Sequence, residues 1–138
     1  MSVQGRFIDG ADRRILLVSH EPDTDCRHAV VVFPALAEEM NKSRRLLWSL
    51  GRVLARSGVM LVIPDLSCTG DSEGEFVDAR WSTWRDDMKA TIAWVAEQGI
   101  PRVDALLVRF GACLFTDCET EFDAESRALA WAPEYSGE

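Results

Sequence analysis

Three apolar runs rich in β-branched residues constrain the fold of this chain more than any other feature. They cover residues 29–33, 59–63 and 103–108. Strands that are apolar on both faces occur in parallel sheets that helices cover on both sides. The segments between the runs are long enough to hold the crossover helices that parallel pairing requires. We therefore predict a single domain over residues 1–138 with an α/β fold, a mainly parallel sheet flanked by helices.

Two amphipathic segments supply the predicted helices, because their apolar residues recur at helical spacing. The apolar positions are Leu46, Leu47, Leu50, Val53 and Leu54 in the first segment and Trp81, Trp84, Met88, Ile92 and Val95 in the second. Asn41 is the expected N-cap of the first helix. Trp94 lies off the apolar face of the second helix, where we expect an exposed contact residue. Short strands are predicted at residues 7–8, 15–18 and 128–133.

The charge balance excludes several classes of partner. The chain has 15 basic and 23 acidic residues and a net charge of −8. Non-specific nucleic-acid binding and docking on anionic lipid both need clustered Lys and Arg. No apolar run approaches the ~20 residues that span a bilayer, and the first residues lack the pattern of a secretory signal. We therefore expect a cytoplasmic protein that binds no nucleic acid and has no membrane span.

The cysteines and histidines predict neither a metal site nor a cofactor. Cysteines stand at positions 26, 68, 113 and 118 without a C-x-x-C pair. The two histidines, His20 and His28, are far in sequence from Cys113 and Cys118, so the spacing of zinc ligands is absent. In a reducing cytosol the cysteines are expected to be packing residues with free thiols.

Functional loops of a parallel sheet follow the carboxyl ends of its strands, which here means the loops after residues 33, 63 and 108. The first loop, residues 34–41, contains Leu36, Glu38 and Glu39, and its backbone N–H groups could form half of an oxyanion hole. Adjacent carboxylates point in different directions, so Glu38 and Glu39 are a poor acid–base pair. We favour the interpretation that they are first-turn residues stabilised by the helix dipole.

The second loop is rich in Gly, Asp and Ser and contains Asp65, Ser67, Asp71 and Ser72. It lacks the Gly-Lys-Ser/Thr sequence of a phosphate-binding loop. Short polar side chains in such loops bind nearby backbone N–H groups. Neither serine has a histidine nearby in sequence, so we favour local hydrogen bonding over a nucleophilic role.

The third turn is the diagnostic one. In a nucleophile elbow, G-x-S-x-G places a serine on a sharp strand-to-helix turn. The corresponding stretch here begins with Leu107, ends with Gly111 and carries Arg109 at the nucleophile position. A guanidinium stays protonated and offers no lone pair for attack. Cys113 lies about one helical turn further on and would not occupy the tip. We therefore assign no catalytic nucleophile.

Several of these segments resemble one known family. Residues 33–45, with the sequence FPALAEEMNKSRR, resemble the signature segment of the exosortase A system-associated hydrolases of the second type, which are α/β-hydrolase-like proteins. Residues 65–72 are similar to the D-L-x-G-x-G-D-S loop of that fold, with Cys68 where a glycine is usual. Residues 78–87, the elbow at 107–114 and residues 130–138 also look like the family, which carries G-L-R-L-G at its elbow.

The resemblance covers most of residues 13–138 and implies a truncated α/β-hydrolase fold, its N-terminal half. That fold places its catalytic acid and histidine downstream of the strand at 128–133. His20 and His28 precede the elbow and match no catalytic position. A Ser-His-Asp relay needs three partners, and none stands at a matching position. The resemblance therefore implies a hydrolase-like protein of an exosortase and exopolysaccharide system that acts on an ester or acyl substrate. The residues instead indicate a pseudoenzyme without independent Ser-His-Asp catalysis.

Arg109 then has two interpretations. Its planar guanidinium could bind an anion such as a carboxylate through two parallel N–H groups. Alternatively it forms an internal ion pair with a nearby acid, which we favour because an unpaired cation in a closed turn is costly. The candidate binding residues are Arg109, Phe110, Leu36, Glu38, Glu39, Asp65, Asp71 and Ser72.

The strand at 128–133 would form an open sheet edge, and an open apolar edge promotes association. Three arrangements remain open. A second copy pairs there as a homodimer, the missing C-terminal half binds there, or Pro133, Glu134 and Glu138 blunt the edge. The second functional hypothesis is accordingly a non-catalytic binding or assembly module that pairs through this edge.

Overall fold

The computed structural model describes residues 1–132, so Pro133, Glu134 and Glu138 lie outside the described residues. Its six strands form one sheet in the order β1-β2-β4-β3-β5-β6. Their bounds are β1 Ser2–Asp9, β2 Arg14–Glu21, β3 His28–Phe33, β4 Val59–Pro64, β5 Arg102–Val108 and β6 Ala128–Trp131. The β1–β2 and β2–β4 pairs are antiparallel, and the β4–β3, β3–β5 and β5–β6 pairs are parallel. The predicted α/β fold with a mainly parallel sheet is confirmed.

In the described part of the chain, three α-helices cover the sheet. They are α1 Ala37–Arg56, α2 Trp81–Glu97 and α3 Gly111–Thr116, with short 3₁₀ turns at Phe76–Asp78 and Glu119–Glu121. Helix α1 packs on β2 and β4, whereas α2 packs on β3 and α3 packs on both β3 and β5. Within residues 1–132, no helix is both long enough and apolar enough to cross a membrane.

Strand β3 shows why the central strands are apolar throughout. Its Ala29, Val31 and Phe33 are fully buried in a core shared with α2, where Trp84, Met88, Ile92 and Val95 pack. Val32 is also fully buried, in a second core with Leu47 of α1. Successive strand residues point to opposite faces, and both faces here are covered by helices.

Two local predictions about the helices were wrong. Helix α1 begins at Ala37, four residues before Asn41, and its N-cap is Leu36 with no side-chain cap hydrogen bond. The residues before Asn41 favour a helix, and the helix dipole stabilises the acids Glu38 and Glu39 in the first turn. The helix therefore begins within the segment that was predicted to be a loop. Trp94 is half-buried, because the Arg6 guanidinium of β1 lies 5.0 Å from its ring centroid.

The first strands are longer than their apolar residues indicated. Strand β1 runs over eight residues and is mostly exposed, and it pairs with β2 along its whole length. Backbone hydrogen bonding to a neighbouring strand extends a strand through polar positions that the apolar pattern does not mark.

Candidate functional site

The candidate site lies at the turn between β5 and α3. Strand β5 ends at Val108, and Arg109 adopts φ +53° before α3 begins at Gly111. The left-handed region costs a side chain-bearing residue roughly 1–2 kcal/mol. The Arg109 N–H donates to the Trp131 carbonyl at 3.0 Å, and the Arg109 carbonyl accepts from the Ala112 N–H at 3.1 Å. Arg109 therefore stands at the tip of a sharp strand-to-helix turn, the geometry of a nucleophile elbow.

Gly111 allows this turn to close against the neighbouring strand. A Cβ placed on Gly111 would lie 2.0 Å from the Phe33 carbonyl oxygen and 2.6 Å from its carbon. No side chain fits there without moving the backbone of β3. Close packing against β3 thus explains the glycine at the last position of the G-x-S-x-G pattern. At the first position of that pattern, Leu107 takes the place of the glycine and is buried.

The Arg109 side chain reaches the first turn of α1. Its Nε lies 3.9 Å from Glu39 Oε2, and an Nη donates to the Ala132 carbonyl at 3.3 Å. The side chain remains 39% exposed, although its Nε atom is buried. It opens into a cleft of about 390 Å³, lined by Glu39, Lys42, Ser43, Val108, Arg109, Trp131 and Ala132. This cleft lies at the elbow, beside the Arg109 side chain.

Glu38 and Glu39 occupy the first turn of α1, as expected for acids near a helix N-terminus. Glu38 pairs with Lys42 at 3.1 Å on the exposed surface, and Glu39 faces Arg109. Leu36 precedes this turn and packs against the core. Of the four acids predicted as candidate binding residues, the structure places Glu39 beside Arg109.

Asp65 has a different partner. Its buried carboxylate lies 3.4 and 3.5 Å from an Nη of Arg44 and accepts the Asp71 N–H at 3.0 Å. The negative charge of Asp65 is therefore paired with Arg44 and with a backbone N–H of its own loop.

Phe110 packs edge-on against Trp81 and Trp84 of α2, with ring centroids 5.2 and 6.1 Å apart. Phe110 is therefore a packing residue beside the elbow.

Two serines in the loop after β4 are structural. The Ser72 hydroxyl accepts the Leu16 N–H at 2.8 Å and donates to the Asp65 carbonyl at 2.5 Å, which ties the loop to β2. Ser67 is fully buried, and its carbonyl accepts the Trp84 indole N–H at 2.8 Å. Cys68 adopts φ +67°, a left-handed backbone conformation that glycine adopts more readily than a residue with a side chain. Burial raises the pKa of the Cys68 thiol.

Asp87 is the important residue that sequence reasoning left without a role. It is fully buried on α2 and accepts the Ala11 N–H at 2.9 Å and the Ser67 N–H at 2.8 Å. One carboxylate thus connects the β1–β2 turn and the loop after β4 to α2. Its signal in the sequence is an acid directly beside Met88, on the apolar face of a helix.

Neither histidine lies at the elbow. His28 begins β3 and lies 2.7 Å from Asp104 Oδ2, at the end of the sheet opposite Arg109. Burial would raise the pKa of Asp104, but hydrogen bonds from the Arg127 backbone, His28 and Arg102 together hold it below its usual value. His20 is fully buried against Trp48 and Gly51 of α1. Burial, with a smaller effect of Arg52, lowers its pKa.

The cysteines form no disulfide bond with one another. Cys118 is fully buried, and burial raises the pKa of its thiol to about 11. Within the described range 1–132, no group of three or more His, Cys, Asp or Glu residues is arranged to hold a metal ion.

The same fold occurs in many solved structures. A hydrolase from Agrobacterium vitis S4 is 21% identical with a TM-score of 0.67, and the match covers 96% of this chain and 53% of that one. An α/β serine hydrolase homologue from Coxiella burnetii is 17% identical with a TM-score of 0.74, with coverage of 96% and 64%. The α/β hydrolase GrgF from Penicillium sp. sh18 is 16% identical with a TM-score of 0.77, with coverage of 96% and 46%.

These likenesses show an α/β-hydrolase fold. The chain spans about half the length of the solved structures that it matches, from 46% to 64% of each. No curated protein matches the sequence significantly.

The profile of one sequence family matches residues 15–113, more than half of the chain. The matched region runs from β2 through the elbow into α3. The chain therefore belongs to the X-Pro dipeptidyl-peptidase family, S15.

Proposed function

We propose that this chain is an α/β-hydrolase-like protein without independent Ser-His-Asp catalysis, and that Arg109 captures an anion at the elbow. One observation carries the proposal: Arg109 occupies the elbow tip, at φ +53°, with its side chain accessible from the cleft. A guanidinium cannot attack a carbonyl, but its planar fork matches a carboxylate or phosphate.

The positions of the other polar residues support the non-hydrolytic part of the proposal. Ser72 is committed to hydrogen bonds within the fold, and Ser67 is fully buried. His28 lies at the opposite end of the sheet from the elbow. A nucleophile and its base must lie within hydrogen-bond reach of each other, and neither serine has a histidine among its hydrogen-bond partners in residues 1–132.

Ion pairing with Glu39 is the competing role for Arg109. Their closest atoms are 3.9 Å apart, beyond hydrogen-bond distance, and both side chains are more than one third exposed. Exposed pairs of this kind contribute roughly 0–1 kcal/mol. An anion that meets the guanidinium at hydrogen-bond distance would form charge-assisted hydrogen bonds.

An acetate titration followed by ¹⁵N NMR tests the capture. We expect saturable shifts of the Arg109 guanidinium N–H groups and of amides in the first turn of α1. Arg109→Ala should abolish them, and Arg109→Lys should weaken binding because the two-point geometry is lost. Arg45→Ala is the matched control, an exposed arginine of α1 outside the cleft. A large loss of melting temperature in Arg109→Ala with unchanged acetate binding would instead establish the purely structural role.

We also propose that the protein is cytoplasmic and works with an exosortase and exopolysaccharide system. The support is the resemblance of residues 33–45 and 107–114 to hydrolases of that system. The position of the gene is the direct test. A location beside exosortase and polysaccharide-assembly genes is expected, and a consistent location elsewhere argues against the association.

The second candidate function is assembly through the open edge of the sheet. Strand β6 is the last strand of the sheet, and all four of its residues are exposed. The partner would be a second copy of this chain or the C-terminal half of a hydrolase. Light scattering of the purified chain, alone and mixed with such a C-terminal half, tests both arrangements, and a monomer in both samples would contradict assembly through this edge.

A further inference from the structure

We propose that the outward face of helix α1 is a docking surface for a short acidic segment of another protein. We define this arginine face by Arg45, Arg52 and Arg56, which are all exposed, and by Trp48 beside them. None of these four residues lines the Arg109 cleft, so the inference is independent of the anion capture proposed there.

Helical periodicity places the three arginines on one side of α1. At about 100° per residue, Arg45, Arg52 and Arg56 lie within about 40° of one another around the helix axis. The buried residues of the helix follow a different side: Ser43, Leu47, Gly51 and Ala55. The arginine face therefore points away from the sheet, and also away from the flank that Leu46 turns toward β6.

Helix α1 is basic although the chain as a whole is acidic. The helix carries five basic and two acidic residues, whereas the chain has 15 basic and 23 acidic residues. Both acids lie in the first turn, and the sequence contains no Asp or Glu between Glu39 and Asp65. The net charge of −8 therefore conceals a local positive surface on this helix.

The three arginines have no carboxylate partner within residues 1–132. Other basic side chains do have one within 3.5 Å: Lys42, Arg44, Arg6, Arg13, Arg85 and Arg102. Arg52 and Arg56 stand four residues apart, a spacing at which like charges slightly destabilise a helix. A partner carboxylate bound between them would relieve that repulsion.

The composition of the arginine face favours a protein partner. Protein interfaces are enriched in arginine and aromatic residues and depleted in lysine and acids. Trp48 is 44% exposed and lies three residues after Arg45 and four before Arg52, so it is the neighbour of both on the helix surface. A guanidinium binds a carboxylate through two parallel N–H groups, and the indole ring offers apolar contact area.

The extent of the arginine face favours a short segment over a long polyanion. Eleven residues of helix separate Arg45 from Arg56, and at ~1.5 Å per residue this is roughly 16 Å. About five residues of extended chain, at ~3.3 Å each, cover that distance. A nucleic-acid duplex or an anionic bilayer would extend beyond the face, where the excess of acids in the rest of the chain repels it.

Fluorescence anisotropy with a labelled peptide of sequence EELEELEE tests the inference, with QQLQQLQQ as the uncharged counterpart. We expect saturable binding of the acidic peptide that weakens as NaCl is added, and no binding of the glutamine peptide. Arg52→Gln combined with Arg56→Gln should raise Kd about fivefold, because each exposed ion pair lost raises Kd roughly twofold to threefold. Arg27→Gln combined with Arg127→Gln removes the same charge from exposed arginines outside α1 and should leave Kd nearly unchanged.

The docking surface is overturned if the acidic peptide does not bind, or if it binds the Arg52→Gln, Arg56→Gln protein as tightly as the parent. Tighter binding of an oligonucleotide with the same number of charges, lost in that variant, overturns the protein partner and makes the face a nucleic-acid site. Because the substituted side chains are exposed, melting temperatures near that of the parent establish that both double variants are folded.

Discussion

Gly111 offers the sharpest test of the elbow geometry. Substitution by alanine places a Cβ 2.0 Å from the Phe33 carbonyl oxygen, where an ordinary contact begins at 3.4 Å. Strand β3 and the start of α3 would have to separate by about 1.4 Å, the difference between these distances. Both neighbours are backbone, and β3 is held by pairing with β4 and β5, so neither can give way easily.

Overpacking of this kind costs about 3 kcal/mol, at the upper end of the usual range. Alanine regains up to about 1 kcal/mol of helix propensity in α3. The expected net loss is therefore about 2 kcal/mol of unfolding free energy, which for a chain of this size lowers the melting temperature by roughly 6–8 °C.

Urea denaturation and calorimetry of Gly111→Ala measure this loss directly. Gly5→Ala is the matched control, because its Cβ would lie 3.8 Å from a Leu16 methyl group, an ordinary contact on the exposed strand β1. We expect a change within about 0.5 kcal/mol there. A Gly111→Ala protein as stable as its parent would refute the close approach and, with it, the shape of the elbow.

Three further predictions concern buried groups. Asp87→Ala should lower the unfolding free energy in urea by about 2–4 kcal/mol, since it leaves the Ala11 and Ser67 N–H groups without their acceptor; a loss under 1 kcal/mol would contradict this. Burial lowers the pKa of His20, so this residue contributes stability that is present above its unfolded value of 6.5 and is lost as the pH falls below it. The parent should therefore lose more stability than His20→Leu between pH 7.5 and 5.5, and parallel pH profiles would disprove that contribution. Native Cys118, fully buried and with its pKa raised to about 11, should resist iodoacetamide at pH 8 until urea is added, as peptide mass spectrometry can show. Rapid native alkylation would contradict its burial.

The central strands and helices were predictable because a strand buried on both faces must consist of a continuous run of apolar residues. Runs such as 59–63 correspond to strand β4, and the regular spacing of Trp84, Met88 and Val95 corresponds to the buried face of α2. The elbow was predictable because the apolar run of β5 ends directly before Arg109, and Gly111 two residues later allows a tight strand-to-helix turn.

Features that depend on distant partners were not predictable. Asp65 meets Arg44, and Trp94 is covered by Arg6, through contacts that tertiary packing alone creates. The start of α1 was misplaced because Asn41 is a good cap in isolation, whereas the preceding residues already favour the helix. The position of Asp87 on the apolar helix face indicates a buried acid, but the two loops whose backbone N–H groups it accepts lie far away in sequence and could not be predicted.

The most direct test of the account is intact-mass spectrometry after reaction with a fluorophosphonate, which phosphonylates activated serines. We predict no adduct on this chain under conditions in which an active serine hydrolase in the same tube is fully modified. Stoichiometric modification, mapped to Ser67 or Ser72 and lost in the corresponding alanine variant, would contradict the assignment of Arg109 as the elbow residue of a non-hydrolytic protein.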